Sequence, residues 1–155
     1  PAVTAVFLIR REIAPGIAAA YILAQIAAGI FGVILAHAMF DLDLIEVSGK
    51  ARSGPGQALG EATATFGLIL TILGCARFRP ESVAFSVGLF IAAGYWFTSS
   101  TSFANPAVTI ARTLTDTFAG VRPADAPMFI FAELAGALLA LAAARLLFPK
   151  AAAAA

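Results

Sequence analysis

The sequence predicts an all-α membrane protein, and three observations carry that prediction. Hydrophobic residues make up 61% of the chain and charged residues 12%, about half the charged fraction of a soluble domain. The mean hydropathy is +0.92. Long apolar runs lack the polar–apolar alternation of membrane β-strands, so they are typical of helices. The net charge of +1 and the absence of a basic cluster give no indication of nucleic-acid binding.

Four apolar runs are long enough, or nearly so, to cross a bilayer, which takes about 20 residues. They are residues 17–40, 57–76, 83–98 and 127–148. Charged, glycine-containing or proline-containing loops at 41–56 and 77–81 separate them. The sequence therefore predicts four membrane-spanning helices.

Two further apolar segments, 1–9 and 106–118, are too short to cross, and both open with Pro-Ala-Val-Thr. Proline suits the first turn of a helix, where its missing N–H costs nothing. Asn105 precedes Pro106 at the favoured capping position. Both segments are therefore predicted to be short helices with sharply defined N-termini.

Each short helix is followed by a span, and the spans share a second similarity. Gln25 in the first span corresponds to Glu133 in the last, after a shift of three residues. Three spans lie between the two short helices, so the second copy should have the opposite orientation in the membrane. This pattern predicts the inverted repeat of many transport proteins.

The basic residues of the loops predict the orientation. One side would carry Arg10, Arg11, Arg77, Arg79, Arg145 and Lys150, and the other Lys50, Arg52 and Arg122. The side with six basic residues is predicted to be cytoplasmic. The first short helix then enters from the cytoplasm and the second from outside.

Two half-helices of this kind would bring their N-termini together near the midplane. Each N-terminus carries about half a positive charge from its aligned peptide dipoles. The resulting constriction would repel cations and protons. The Asn105 amide could donate to a passing oxygen atom, so neutral hydrogen-bonding solutes would pass.

This pattern resembles the major intrinsic protein family, the aquaporins and aquaglyceroporins, in particular a bacterial branch with an Asn-Pro-Ala-Val-Thr motif. Asn105-Pro106-Ala107, Glu61 and the positions of Gln25 and Glu133 carry the resemblance together with a truncated first motif. The resemblance implies an aquaporin-like inverted repeat of six spans and two half-helices, of which four and two are present. It also implies a homotetramer. The implied pore motif comprises Pro1, Ala2, Asn105, Pro106 and Ala107.

The family pattern begins earlier than this sequence, because its first two spans and first signature asparagine have no counterpart here. The resemblance implies a preceding segment of about two helices. Residues 1–155 would then be one partial channel domain. Residues 1–40 would end the first repeat, 57–148 would form the second, and 151–155 would be a low-complexity alanine tail.

Val108 stands where most family members have the arginine of the outer selectivity filter. The resemblance therefore implies a wider and more apolar constriction. Arg112 lies seven residues after Asn105, on the same helix face and about 10 Å farther out. It either replaces the missing charge, forms a structural ion pair, for example with Asp116, or caps nearby carbonyls.

Three other residues are filter candidates. Tyr95 aligns approximately with the filter position of the preceding span, although it is equally typical of an interfacial aromatic belt beside Trp96. Ser102 and Phe103 precede the motif and could line the outer vestibule.

Ionisable residues within the spans are functional candidates. The resemblance implies an architectural role for Glu61, as acceptor for loop N–H groups that would otherwise be unsatisfied. Glu133 is expected to join helices, and His37 to lie at the interface. One histidine and the remote Cys75 form no metal or catalytic constellation, so no metal, no cofactor and no enzymatic activity are expected.

The leading hypothesis is a passive channel for small neutral solutes: water, glycerol-like polyols, urea or neutral metalloid hydroxides. The expected partners are membrane lipids, the solute and copies of the same chain, with no nucleic acid. The expected location is a bacterial inner membrane. The alternative is a non-conducting structural or accessory subunit derived from an aquaporin.

Overall fold

The computed structural model describes residues 1–148, and all regular secondary structure in this part of the chain is helical, without a β-strand. A short 3-10 helix lies at Pro80–Ser82. The six α-helices are α1 (Ala2–Ile9), α2 (Pro15–Met39), α3 (Pro55–Phe78), α4 (Val83–Phe97), α5 (Pro106–Arg112) and α6 (Ala126–Leu147). Their order is the predicted one, with short helices first and fifth. The expected alanine tail at 151–155 lies outside the described residues.

Three helices are long and apolar enough to cross a membrane: α2 with 25 residues, α3 with 24 and α6 with 22. The fourth predicted span, α4, has only 15 residues, which give it a length of about 22 Å. It is therefore shorter than the hydrocarbon core of a typical bilayer. The structure bears out three of the four expected spans by length, and the crossing by α4 stays a prediction.

The second half-helix is shorter than the sequence predicts. It ends at Arg112 instead of continuing to residue 118, because the chain beyond it bonds to the loop between α2 and α3. The backbone N–H of Ser48 donates to the Thr113 carbonyl at 2.9 Å, and that of Glu46 donates to the Leu114 carbonyl at 3.2 Å. These tertiary hydrogen bonds replace the helical ones that a longer α5 would make.

Helix α3 is the centre of the bundle and packs most closely against α6. Gly136 in α6 lies directly against the backbone of Ala62, so even a methyl group there would collide with the Ala62 carbonyl. Toward the other end of the pair, Val6 of α1 packs with Leu73 and Leu141. Close approach at small residues is a general device of helix pairs in membranes.

Three loops meet on one side of the bundle, at residues 40–54, 98–105 and 113–125, as the hydrogen bonds between them show. On the opposite side, a cavity of about 700 Å³ is bordered by Arg10, Arg11, Arg77 and Arg145. These four arginines therefore share one side, as the sequence predicts. Lys150, assigned to the same side, lies outside the described residues.

The long helices expose large apolar side chains, which is the reverse of a soluble protein. Leu23 and Phe31 of α2 and Phe85 of α4 are each about two-thirds exposed or more, and Trp96 is 91% exposed. Contiguous apolar surface of this extent marks contact with lipid or with other subunits. The surface therefore belongs to an integral membrane protein.

Replacing Gly136 by alanine should destabilise the bundle. The added methyl group would force α3 and α6 apart, and overpacking of this kind costs about 1–3 kcal/mol. Melting curves of the purified protein in detergent should show a lower transition temperature for Gly136→Ala. Gly88→Ala is the matched control, because a methyl group at Gly88 meets no atom within 4 Å. An equal effect of the two substitutions would contradict the close-approach argument.

Candidate functional site

The Asn-Pro-Ala motif forms the start of α5. Asn105 has extended backbone (φ −162°, ψ 114°) and caps the helix by accepting a hydrogen bond from the Ala107 N–H at its Oδ1 atom, at 3.0 Å. Pro106 occupies the first helical position. Since Oδ1 is engaged by the cap, the Asn105 amino group is left to donate outward.

The loop that leads into this motif has an unusual backbone. Thr101, Ser102 and Ala104 adopt φ values of 66°, 52° and 50°, in the left-handed region that residues other than glycine seldom occupy. Such conformations cost about 1–3 kcal/mol each and persist only where the surroundings enforce them. The loop is thus held against its own backbone preference.

Glu61 holds the loop before α5 in this conformation. Its Oε1 atom accepts the Phe103 N–H at 2.9 Å and its Oε2 atom accepts the Ala104 N–H at 2.7 Å. The side chain is fully buried in α3, where two unpaired N–H groups and an unpaired carboxylate would each be costly. This is the geometry that the sequence predicts for Glu61.

The two Pro-Ala-Val-Thr segments make equivalent side-chain contacts. Thr4 in α1 accepts a hydrogen bond from Gln25 Nε2 at 2.9 Å, while Thr109 in α5 donates to Glu133 Oε1 at 2.6 Å. In each repeat, the threonine of the half-helix is thus joined to the following span. Glu133 joins helices, as expected.

Several contacts bring the two half-helices toward a common region. Val3 of α1 packs against the same buried cluster as Ala104, the residue before the Asn105 cap. Both α1 and α5 also pack against α6, and Thr109 of α5 bonds there to Glu133. These shared neighbours support the opposed arrangement, and a direct approach of the two prolines stays a prediction.

Val108 lies in the first turn of α5, at a cavity of about 620 Å³ between α2 and α5. The lining of this cavity is mostly apolar and includes Val33, Phe40, Ala111 and the charged Arg112. Val108 also packs against Phe103 and Phe129. The position that the resemblance assigns to a filter arginine is thus an apolar wall of this cavity.

Arg112 does not form the ion pair with Asp116 that the sequence left open. Asp116 Oδ1 instead accepts the backbone N–H of Gly49 at 2.8 Å. Arg112 lies over the Phe103 ring, 4.3 Å from its centroid, and donates to the Tyr95 hydroxyl at a long 3.4 Å. No carboxylate pairs with Arg112 within residues 1–148.

The remaining filter candidates differ in their exposure and in their position relative to the cavity. Tyr95 reaches Arg112 and is half exposed. Ser102 and Phe103 are 2% and 4% exposed and do not border the cavity that holds Val108. The Phe103 ring instead packs on Phe129, with a centroid separation of 5.2 Å.

Arg52 is the residue that sequence reasoning missed, because it counted only as one of three charges in the outer loops. It is 7% exposed. Its guanidinium donates to the carbonyls of Gly120, Ser100 and Phe118 at 2.7, 3.0 and 2.8 Å, and to the Thr101 hydroxyl at 3.4 Å. It thereby ties together all three outer loops. The only sequence signal was an arginine within a glycine-rich and serine-rich connection.

Asp125 anchors the backbone next to this arginine. Its carboxylate accepts the Arg122 guanidinium at 2.9 Å and the Arg52 backbone N–H at 2.8 Å. The hydrogen bond from Arg122, followed by the one from Arg52, lowers the pKa of Asp125 below its usual 3.8. The carboxylate is therefore charged throughout the physiological range.

His37 lies near the end of α2 and is buried within the protein, with 3% of its surface exposed. Its Nδ1 atom lies 2.6 Å from the Asp43 carbonyl and its Nε2 atom 2.7 Å from the Thr115 hydroxyl. The ring links the end of α2 to the loop after α5. No sequence pattern indicates Thr115 as the partner of His37, because the two residues are 78 positions apart.

The described chain is thus a helical integral membrane protein that contains two half-helices, each joined to the following span by an equivalent bond. A curated relative, aquaglyceroporin AqpS of Rhizobium meliloti (strain 1021), is 52% identical over 151 residues. The aligned region covers 97% of this chain and 65% of the relative. The chain therefore belongs to the major intrinsic protein family. No family model and no solved structure gives a significant match.

Substitution of Glu61 should destabilise the protein in a graded order. Glu61→Leu removes both acceptors and leaves two buried N–H groups unsatisfied, each costing about 1–3 kcal/mol. Glu61→Gln keeps one acceptor oxygen, so its melting temperature should lie between those of Glu61→Leu and the wild type. If Glu61→Leu had the same melting temperature in detergent as the wild type, the two hydrogen bonds would contribute nothing to stability.

Protonation of Asp125 should lower the stability of the fold at acid pH. Since its pKa is lowered on folding, its contribution is complete above about pH 5 and is lost as the pH falls through its folded pKa. Melting temperatures measured from pH 6 to pH 3 should therefore fall less steeply for Asp125→Asn than for wild type. Arg122→Gln removes the largest cause of the shift and should give an intermediate slope. An unchanged slope in Asp125→Asn would refute this assignment.

Proposed function

We propose that the protein containing this chain is a passive channel for small neutral solutes, and not an enzyme. The observation that carries the proposal is the capped Asn105-Pro106-Ala107 half-helix, which shares buried neighbours with a second half-helix. Similarity to an aquaglyceroporin over 97% of the chain supports it. Since the chain spans 65% of that relative, the proposal concerns the complete natural protein.

Ion exclusion is proposed to come from the two half-helix N-termini. Asn105 accepts the Ala107 N–H through Oδ1, which fixes the amide so that its amino group can donate to a solute oxygen. The positive ends of the helix dipoles favour such oxygen atoms and repel cations. Pro1, Ala2, Pro106 and Ala107 hold this geometry as helix starts.

The width of the filter is proposed to follow from Val108. Its side chain offers no hydrogen-bond donor and no charge, and it borders an apolar cavity of about 620 Å³. Glycerol-like polyols, urea and neutral metalloid hydroxides are therefore proposed as solutes besides water. Glycerol also agrees with the similarity to an aquaglyceroporin.

The assembly and location are proposals as well. The exposed apolar faces of α2 and α4 suit contact with lipid and with further copies, and a homotetramer in a bacterial inner membrane is the arrangement we propose. A non-conducting accessory subunit is the competing function, and flux measurements separate the two.

Reconstituted vesicles test the channel directly. The complete natural protein, purified into proteoliposomes, should raise the permeability to glycerol and to water above that of protein-free vesicles in stopped-flow light scattering. Separate gradients of urea and glycerol rank the solutes. Permeabilities equal to those of protein-free vesicles, with folded protein present, would favour the accessory subunit.

Val108→Arg should reduce glycerol permeation much more than water permeation. The long side chain would narrow the constriction and place a fixed positive charge there, and the larger solute loses more by narrowing. Val108→Leu is the control, because it adds one methylene group and no charge. Its ratio of glycerol to water permeability should stay near that of the wild type. Equal loss of both fluxes in the arginine variant would mean that Val108 does not face the solute path.

A further inference from the structure

Two guanidinium groups share one aromatic ring at the outer end of α5. The guanidinium carbon of Arg112 lies 4.3 Å from the Phe103 centroid, and that of Arg52 lies 5.2 Å from it. Cations within about 6 Å of a ring centroid are attracted by its quadrupole. Phe103 is itself fixed through its N–H bond to Glu61. The ring therefore links the buried Arg52 to Arg112, which lines the cavity.

The two arginines differ in how their donors are used. Arg52 donates to three carbonyls at 2.7–3.0 Å, which leave its guanidinium little freedom, and makes a longer contact of 3.4 Å to the Thr101 hydroxyl. Arg112 has only the long contact to Tyr95 within residues 1–148. Most of its donors are therefore left for water or for a solute at the cavity.

Neither guanidinium forms a salt bridge with a carboxylate in the described part of the chain. The Asp125 carboxylate bonds to the Arg122 guanidinium and to the backbone N–H of Arg52, and not to the Arg52 side chain. The buried Glu61 carboxylate favours the positive charge of Arg52, whereas the charge of Arg112 opposes it. Carbonyl dipoles and the shared ring hold the two guanidinium groups in place.

We propose that Arg52 is a specificity-determining positioning residue, which acts through Phe103 to fix Arg112 as a hydrogen-bond donor at the cavity beside Val108. This inference rests on the proposed channel function. A polyol that enters the site loses several water molecules, and the Arg112 donors replace part of that hydration. A water molecule gives up less hydration on entry, so the Arg112 donors favour polyols over water.

The test is a double-mutant cycle in proteoliposomes of the complete natural protein, with the glycerol-to-water permeability ratio as readout. Arg112→Met keeps a long side chain but removes charge and donors. Arg52→Lys keeps the charge but loses the planar fork that binds several acceptors. Each should lower the ratio, by about tenfold for Arg112→Met, the scale of one lost charge-assisted hydrogen bond.

If Arg52 acts through Arg112, the double variant should have the ratio of Arg112→Met alone. Arg79→Met is the control, because it removes one charge from an arginine that is 78% exposed at the opposite side. It should leave the ratio unchanged. A lower melting temperature for Arg52→Lys is compatible with the proposal only if the ratio in the folded, reconstituted protein falls as well.

Three outcomes overturn the inference. A wild-type ratio in Arg112→Met would show that its donors do not contact the solute. A wild-type permeability ratio in Arg52→Lys, together with reduced stability, would show that Arg52 is purely structural. If the two substitutions lowered the permeability ratio multiplicatively in the double variant, Arg52 and Arg112 would act independently. In these cases the wild-type channel still conducts. Absence of any flux in wild type would instead refute the channel function and this inference with it.

Discussion

The structure around the candidate pore depends on one constraint: backbone that leaves a helix inside a membrane protein needs hydrogen-bond acceptors from elsewhere. The loop before α5 leaves the N–H groups of Phe103 and Ala104 without helical partners. Glu61 satisfies both with a single carboxylate. That bond fixes the positive-φ loop, the loop fixes Asn105, and Asn105 fixes the start of α5. The carboxylate is therefore the first link in the placement of the motif.

The inverted repeat extends from sequence to side-chain chemistry. The Thr4–Gln25 and Thr109–Glu133 pairs occupy matching positions, yet the hydrogen bond runs in opposite directions. The Gln25 amide donates to threonine, whereas the Glu133 carboxylate accepts from it. Threonine suits both because its hydroxyl is donor and acceptor. The repeat thus conserves a connection between half-helix and span while the partner changes.

Local signals made most of the fold predictable, because hydrophobic length and proline positions mark helices directly. The capped start of α5 followed from such signals, whereas the role of Glu61 followed from the family resemblance. The end of α5, the burial of His37 and the importance of Arg52 did not, because each depends on a partner far along the chain. Arg52, for example, bonds to Ser100, Phe118 and Gly120. Only the folded loops bring these carbonyls together.

The position of Arg112 also bears on the field at the constriction. It is the last residue of α5, so its positive charge lies near the partial negative charge of the helix C-terminus. A seven-residue helix is short enough for its two ends to offset each other's field at a nearby point. Because Arg112 offsets the partial negative charge of the α5 C-terminus, that charge cancels less of the positive potential at the N-terminus beside Asn105. An arginine at the C-terminal end of α5 thus strengthens the positive potential at the motif, on which the proposed exclusion of cations depends, without narrowing the wall at Val108.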